Sequence, residues 1–127
     1  MQPRAIVSKH ILIVEDSGSF RTVVKVALER AGYQIIEAAD AQEAIALLDG
    51  RQIHVVVCDV NMPGMDGLAF VRHLRGTDYK FTPVVMLTTD CQPERKAEAA
   101  DMGVRVWITK PFLPTYLIDT IAKICPN

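Results

Sequence analysis

The sequence lacks any run approaching the roughly 18 to 20 consecutive apolar residues that a bilayer span requires, and Met1 to Lys9 carries no hydrophobic signal core. Neither a membrane helix nor a secretory leader is expected, and the chain reads as cytoplasmic. It also lacks an excess of positive charge. Fourteen basic against fifteen acidic residues leave a formal charge of -1, so the pull toward phosphate backbones or anionic lipid is missing. Nucleic acid and membrane surfaces are therefore not expected as direct partners. Cysteine is scarce: Cys58, Cys91 and Cys125 form no CxxC pair and cannot all be bridged within one chain. They read as small residues in a reducing compartment. His10, His54 and His73 lie far apart, none with a second ligand at metal spacing, and read as strand or surface histidines. Internal repeats, low-complexity stretches and linkers are absent as well.

What remains is the composition of an ordinary globular protein, half hydrophobic and 23% charged over 127 residues. That length suits one domain and leaves nothing for a second. Residues 1–9 read as a short N-terminal arm and residues 10–125 as the folded unit. Short β-branched runs, His10 to Val14, Gln34 to Glu37, Ile53 to Cys58, Pro83 to Leu87 and Val104 to Ile108, read as strands. Several are apolar almost throughout, which suits parallel strands covered on both faces. Helix-period segments lie between them, near Phe20 to Ala31, Ala41 to Leu48, Leu68 to Leu74, Pro93 to Met102 and Pro114 to Ile124. Gly32, Gly50, Gly76 and Gly103 each follow a proposed helix, where a left-handed cap residue is wanted. Asp40 with Glu43 has the form of a capping box. The order is (βα)5, and right-handed crossovers lead to a doubly wound, flavodoxin-like parallel sheet of strand order 2-1-3-4-5.

Sites in such sheets form beyond the carboxyl ends of the strands, at the point where strand order reverses. Strand one ends in Glu15-Asp16, strand three in Asp59, strand four in Thr88-Thr89 and strand five in Lys110-Pro111. Taken singly, Glu15-Asp16-Ser17 is a helix-capping turn, Thr88-Thr89 a strand end and Lys110 a surface charge. Together, the order 2-1-3-4-5 brings three carboxylates into one crevice with a lysine opposite, which the fold itself does not need. Two carboxylates about 4 Å apart repel by roughly 4 kcal/mol at an effective dielectric of 20, so the cluster calls for protons or a cation. All-oxygen ligation without His or Cys favours a hard divalent ion, Mg²⁺ first. Lys110 suits a phosphoryl oxygen, the Thr88 hydroxyl can donate to another, and a carboxylate of the cluster is the candidate nucleophile. The chemistry indicated is phosphoryl transfer, which rests on positioning and charge neutralisation.

The residues Ile11-Leu12-Ile13-Val14-Glu15-Asp16, the run from Val57 through Asp59, Asn61, Met62, Pro63, Gly64, Met65 and Asp66 to Gly67, the segment Pro83 to Thr88, and Lys110-Pro111-Phe112 resemble the receiver domain of two-component response regulators. The resemblance extends from His10 to Ile124, and among receivers it is greatest to the stand-alone chemotaxis type. It implies that Asp59 is the phosphoacceptor, that Asp16 and Asp59 bind Mg²⁺ together with the backbone carbonyl of Asn61, and that Glu15 acts through water. It implies Thr88 as the switch threonine, Lys110 as the phosphate-binding lysine and a cis Lys110-Pro111 peptide. Trp107 occupies the position of a rotating switch aromatic, usually Tyr or Phe. Thr89 is bulkier than the Ala or Gly often found at its position.

The resulting expectation is a phosphorylation-dependent signalling switch that catalyses only its own phosphorylation and dephosphorylation. A sensor histidine kinase would supply the phosphoryl group. The face made by the fourth helix, fifth strand and fifth helix would then engage an output protein, by analogy the flagellar motor switch. A monomer is expected. A receiver cut from a longer response regulator or hybrid kinase is the alternative, although Met1 and the end after the fifth helix favour a complete protein. An aspartyl-phosphate hydrolase would need a second acid two residues after the nucleophile, where this chain has Asn61. A flavin carrier would need a Ser/Thr/Gly-rich phosphate loop after strand one, which is missing.

Overall fold

The computed structural model describes residues 8–89 and 92–126. Five strands alternate with five helices: β1 (His10–Val14), α1 (Gly18–Arg30), β2 (Gln34–Ala38), α2 (Ala41–Ala46), β3 (Val55–Asp59), α3 (Gly67–Arg75), β4 (Val84–Thr88), α4 (Pro93–Asp101), β5 (Val106–Thr109) and α5 (Pro114–Ile124). The strands form one parallel sheet of order β2-β1-β3-β4-β5, the flavodoxin-like arrangement. Most of the expected arm, residues 1–7, lies outside the described residues, as does Cys91.

The continuous apolar runs of β1, β3 and β4 follow from burial on both faces. Successive side chains on a strand point to opposite sides. Leu12, Val14, Val56, Cys58, Val84 and Met86 pack beneath α2, α3 and α4 with Leu68, Phe70, Val71 and Ala99. Ile11, Ile13, Val55, Val57, Val85 and Leu87 pack on the other face against Val24 and Leu28 of α1 and Leu117 and Ile121 of α5. Each fully buried Ile, Leu or Phe is worth about 1.5–3 kcal/mol by area, so these two layers carry the fold. The registers pair Val14 with Ala38 and with Cys58, Asp59 with Leu87, and Thr88 with Thr109. They set the carboxyl ends of β1, β3, β4 and β5 side by side.

Local chemistry sets the element boundaries. The Ser17 side chain accepts the Phe20 N–H, so α1 begins at Gly18, two residues earlier than apolar periodicity indicates. Asp40 accepts the Glu43 N–H, and the Glu43 carboxylate reaches back to the Ala39 N–H, one residue beyond the N-cap N–H that a capping box predicts. Gly32, Gly50 and Gly103 have φ of 99°, 100° and 81°, whereas Gly76 does not adopt the left-handed conformation. At Gly76, φ is -91°, and its N–H closes a tight turn on the His73 carbonyl instead.

The structure brings together two histidines that the sequence separates by 44 positions. The His54 N–H donates to the His10 carbonyl at 2.8 Å, and His54 Nδ1 accepts the His10 N–H at 2.8 Å. The rings stack with centroids 5.7 Å apart. Nδ1 can accept only when unprotonated, and burial, followed by the charges of Lys9 and His10, holds the His54 imidazole below its ordinary 6.5. A depressed histidine contributes stability that is present above 6.5 and lost as pH falls through its lower folded value. His54→Asn keeps an acceptor that does not titrate. Its melting temperature is expected to fall less than wild type between about pH 7.5 and pH 5.5, the difference reflecting one hydrogen bond of about 1 kcal/mol. Equal slopes in the two proteins would show that His54 is not a source of acid sensitivity.

Candidate functional site

Glu15 leaves β1 pointing inward and is 1% exposed. Its backbone is fixed first: the N–H donates to the Ala38 carbonyl at 3.1 Å, and its own carbonyl accepts Arg21 Nη1 at 2.7 Å. The carboxylate is then divided between two donors, the Ser17 N–H at 3.1 Å and Lys110 Nζ at 3.0 Å. Asp59, the last residue of β3, is also buried. Its Oδ1 accepts the Asn61 N–H at 3.3 Å and its Oδ2 accepts Lys110 Nζ at 3.2 Å. One ammonium group therefore joins carboxylates from two adjacent strands.

Lys110 is held on several sides. Its N–H donates to the Thr88 carbonyl at 2.7 Å, extending the β4–β5 ladder by one step, and the Lys110-Pro111 peptide is cis. Nζ lies 4.3 Å from the centre of the Phe20 ring, which meets Phe112 edge to face. A cation over an aromatic face is attracted by the ring's quadrupole, most strongly where water is excluded. Asp16 is exposed beside this pair, and Glu15, Asp16 and Asp59 each bring one oxygen within 4.8 Å of the others. Thr88 is fully buried, and its Oγ1 lies 3.4 Å from Asn61 Nδ2.

The start of α3 closes over β3, and only glycine fits there. A Cβ on Gly67 would stand 2.1 Å from the Asp59 carbonyl oxygen. The Gly67 N–H donates instead to the Val60 carbonyl at 2.9 Å. Asp66 caps α3 through the Ala69 N–H at 2.9 Å and pairs with Arg95 of α4 at 2.7 Å. Asp66 and Gly67 thus fix the start of α3 directly against the Asp59 backbone.

Burial pushes the Glu15 carboxyl up; the hydrogen bond from Lys110 pulls it down, and the Asp59 charge pushes it up again. Three acids against one lysine leave the cluster short of positive charge. The donor set is all oxygen, and the ligands of one octahedral Mg²⁺ stand about 3–4 Å apart at bond lengths near 2.1 Å. Oxygens already within 4.8 Å fit a hard divalent ion after small side-chain adjustments.

A sequence model described as the response regulator receiver domain matches residues 11–122. The chain belongs to that family. The receiver is 37% identical over 124 residues to the chemotaxis protein CheY-3 of Vibrio cholerae, covering 94% of this chain and 95% of that one. It is 35% identical over 120 residues to the phosphate regulon transcriptional regulatory protein PhoB of Pseudomonas aeruginosa, covering 94% of this chain. It spans 52% of that relative's length. Its fold superposes on chemotaxis response regulator CheY4 of Vibrio cholerae with a TM-score of 0.86 at 41% identity, covering 93% of this chain and 99% of that one. Among the described residues, no helix is long and apolar enough to cross a membrane.

The receiver gathers Glu15, Asp16, Asp59 and Lys110 in one place, with Asn61 and Thr88 joined at its edge. Trp107 stands outside this group. It pairs with Met86 in the sheet, is half-buried against the α2–α3–α4 layer, and among the described residues its buried Nε1 has no partner. Phe20 and the Asn61 amide were not singled out by sequence reasoning. Phe20 lies in the first turn of α1, which follows closely on the acidic pair after β1.

Mg²⁺ at about ten times its dissociation constant should raise stability by roughly 1.4 kcal/mol, because the folded cluster binds it and the unfolded chain hardly does. Asp16→Asn should remove most of that gain. A melting curve that neither Mg²⁺ nor Mn²⁺ moves would mean that the three acids form no cation site.

Proposed function

We propose that this receiver accepts a phosphoryl group on Asp59 from the phosphohistidine of a sensor histidine kinase and thereby changes what its α4-β5-α5 face binds. The observation that carries this reading is Lys110 Nζ held between Glu15 and Asp59. An Asp59 carboxylate oxygen attacks phosphorus, the bond from phosphorus to the imidazole nitrogen breaks, and the departing histidine keeps the electron pair. The charge spread over the phosphoryl oxygens needs donors already in position, because preorganised groups cost no rearrangement during transfer. Lys110 supplies one and the Thr88 hydroxyl another. Mg²⁺, bound by Asp16, Asp59 and the Asn61 carbonyl and through water by Glu15, would supply the remaining neutralisation. Attack of water on phosphorus then breaks the bond to the Asp59 oxygen, releases inorganic phosphate and restores the carboxylate, so the chain catalyses only its own modification.

A hydrolase acting on small phosphate esters is disfavoured, since the position two residues after Asp59 is an amide whose side chain donates to Thr88. Likeness to the chemotaxis protein CheY-3 over nearly all of both chains supports a chemotactic output; a cytoplasmic monomer acting on the flagellar motor switch is the form proposed for it. Likeness to PhoB over 52% of that protein supports the second reading, a receiver that serves a longer regulator or hybrid kinase.

Acetyl phosphate with Mg²⁺ should add one base-labile phosphoryl group, and Asp59→Asn should add none. Lys110→Arg should label about tenfold more slowly or worse, because a planar fork replaces a point charge between the carboxylates. Full labelling of Asp59→Asn, seen by intact mass, would remove Asp59 from its role.

Output is proposed to run through Thr88 and Trp107. If the Thr88 hydroxyl turns to the phosphoryl group, room opens beside β4 for the half-buried indole. Completing the burial of an aromatic of this size gains on the order of 1–2 kcal/mol, enough to move a two-state population about tenfold. Emission from Trp107, the single tryptophan, should shift or change its quenching on phosphorylation, and Thr88→Ala should blunt the change. Constant emission on fully phosphorylated protein would assign switching to the loops near Asp59 instead.

A further inference from the structure

At the end of the sheet opposite Asp59, where β4 and β5 begin, a groove of about 530 Å³ opens between the α3–β4 connection, the α4–β5 turn and the end of α5. Its apolar surface comes from Phe81, Val84, Met102, Val106 and Ile124, and its charged lining is cationic only: Arg75, Lys80 and Arg105. That bias is local, because the chain as a whole carries a charge of -1.

The three cations differ in what they already do. Arg75 is committed to the fold, donating to the carbonyls of Met102 at 2.8 Å, Lys80 at 3.1 Å and Thr82 at 2.7 Å, so it ties both flanking loops to α3 and gives the groove a fixed frame. Lys80 and Arg105 are exposed, and the ion pairs among the described residues engage neither. Lys80 Nζ lies 5.4 Å from the centre of the Phe81 ring. Phe81 itself is 87% exposed, the most exposed large hydrophobic of the described chain. Fully burying a phenylalanine is worth roughly 1.5–3 kcal/mol, so leaving one in water beside an apolar groove forgoes a stabilisation that a ligand can supply.

We infer that this groove is a docking site for an acidic peptide segment of a partner protein, one that carries a bulky apolar side chain flanked by carboxylates. Charge complementarity selects the acidic flanks, with Lys80 and Arg105 free to receive them. The floor of Val84, Met102 and Val106 receives the apolar anchor. A small carboxylate would fill the floor and leave the outer face of Phe81 in water, whereas a peptide crossing the groove covers both. The site lies at the far end of the strands from the acidic cluster, so docking does not require phosphorylation.

The probe is an N-acetylated, amidated peptide with a central Leu-Phe pair between runs of Asp and Glu, titrated into the ¹⁵N-labelled 127-residue chain. Amides of 80–82, 84 and 102–106 should move, with a dissociation constant on the order of 100 μM, typical of a small transient contact. Phe81→Ala and Arg105→Glu, both at exposed positions, should each weaken binding about tenfold or more. Asp59→Asn should bind as wild type does, which separates this site from the phosphoacceptor. Replacing Leu-Phe by Ser-Ser in the peptide should abolish the shifts, and raising the salt should weaken them. The inference is overturned if the peptide moves no groove amide at about 1 mM, ten times the expected constant. It is equally overturned if the Ser-Ser peptide binds as well, leaving only diffuse charge attraction, or if the shifts centre on the α4-β5-α5 face.

Discussion

A single ammonium group shared by two buried carboxylates is the constraint on which the rest of this receiver depends. Glu15 and Asp59 come from different strands, and each is buried at the edge of an apolar sheet. Without Lys110 their mutual repulsion and lost hydration would expel one of them or force a proton onto it. With Lys110 between them at 3.0 and 3.2 Å, both stay inside. Breaking a buried pair by removing one partner is costly even where the intact pair gains little, so the arrangement specifies geometry more than it stabilises the chain. Much of the surrounding chain then serves to aim one side chain: the Thr88 carbonyl fixes the Lys110 backbone, and Phe20 backs its head group.

The sheet makes this possible because its interior asks nothing of the residues at its ends. β1, β3 and β4 bury alternate residues in two separate layers, so their registers are set by hydrophobic contact along their whole length. A slip of one position would turn Leu12 and Val14 toward α1 and α5 and carry Glu15 out of the crevice. The polar cluster therefore inherits its alignment from apolar packing. Gly67 adds a second constraint at the same place, because the backbone of α3 comes close enough to Asp59 to exclude any side chain.

The sequence was legible where the physics is local or periodic. Runs such as Val55-Val56-Val57-Cys58 mark strands buried on both faces, and the acids that follow the strands fall at one edge once the strand order is known. Boundaries were less legible where a side chain or a turn decides them. The Ser17 cap moves the start of α1, α2 ends at Ala46 rather than Leu48, and β5 begins at Val106 rather than Val104. Gly76 looks like its left-handed counterparts in sequence but closes its turn at negative φ. Contacts between distant segments left no trace in spacing. The His10–His54 stack, the Asn61 amide on Thr88, the ring of Phe20 under Lys110 and the cationic groove around Phe81 each join residues that no periodic pattern connects.

The Asn61–Thr88 contact bears on how a small chemical event would spread. Thr88 cannot move its backbone freely, since its carbonyl accepts the Lys110 N–H at 2.7 Å and its register with Thr109 is fixed. Its hydroxyl can turn, and at 3.4 Å the amide holds it through a long, neutral hydrogen bond. Hydrogen bonds to charged oxygens are shorter and roughly twice as strong as neutral ones. Because the hydroxyl accepts from the amide, it can donate its own O–H to an anionic oxygen arriving near Asp59, and a charged acceptor is worth on the order of 1 kcal/mol more than a neutral one. A gap of that size shifts a population about fivefold without locking it, which suits a switch that must also return. The loose bond between Asn61 and Thr88, more than the firm ones around Lys110, is where such a response would be tuned.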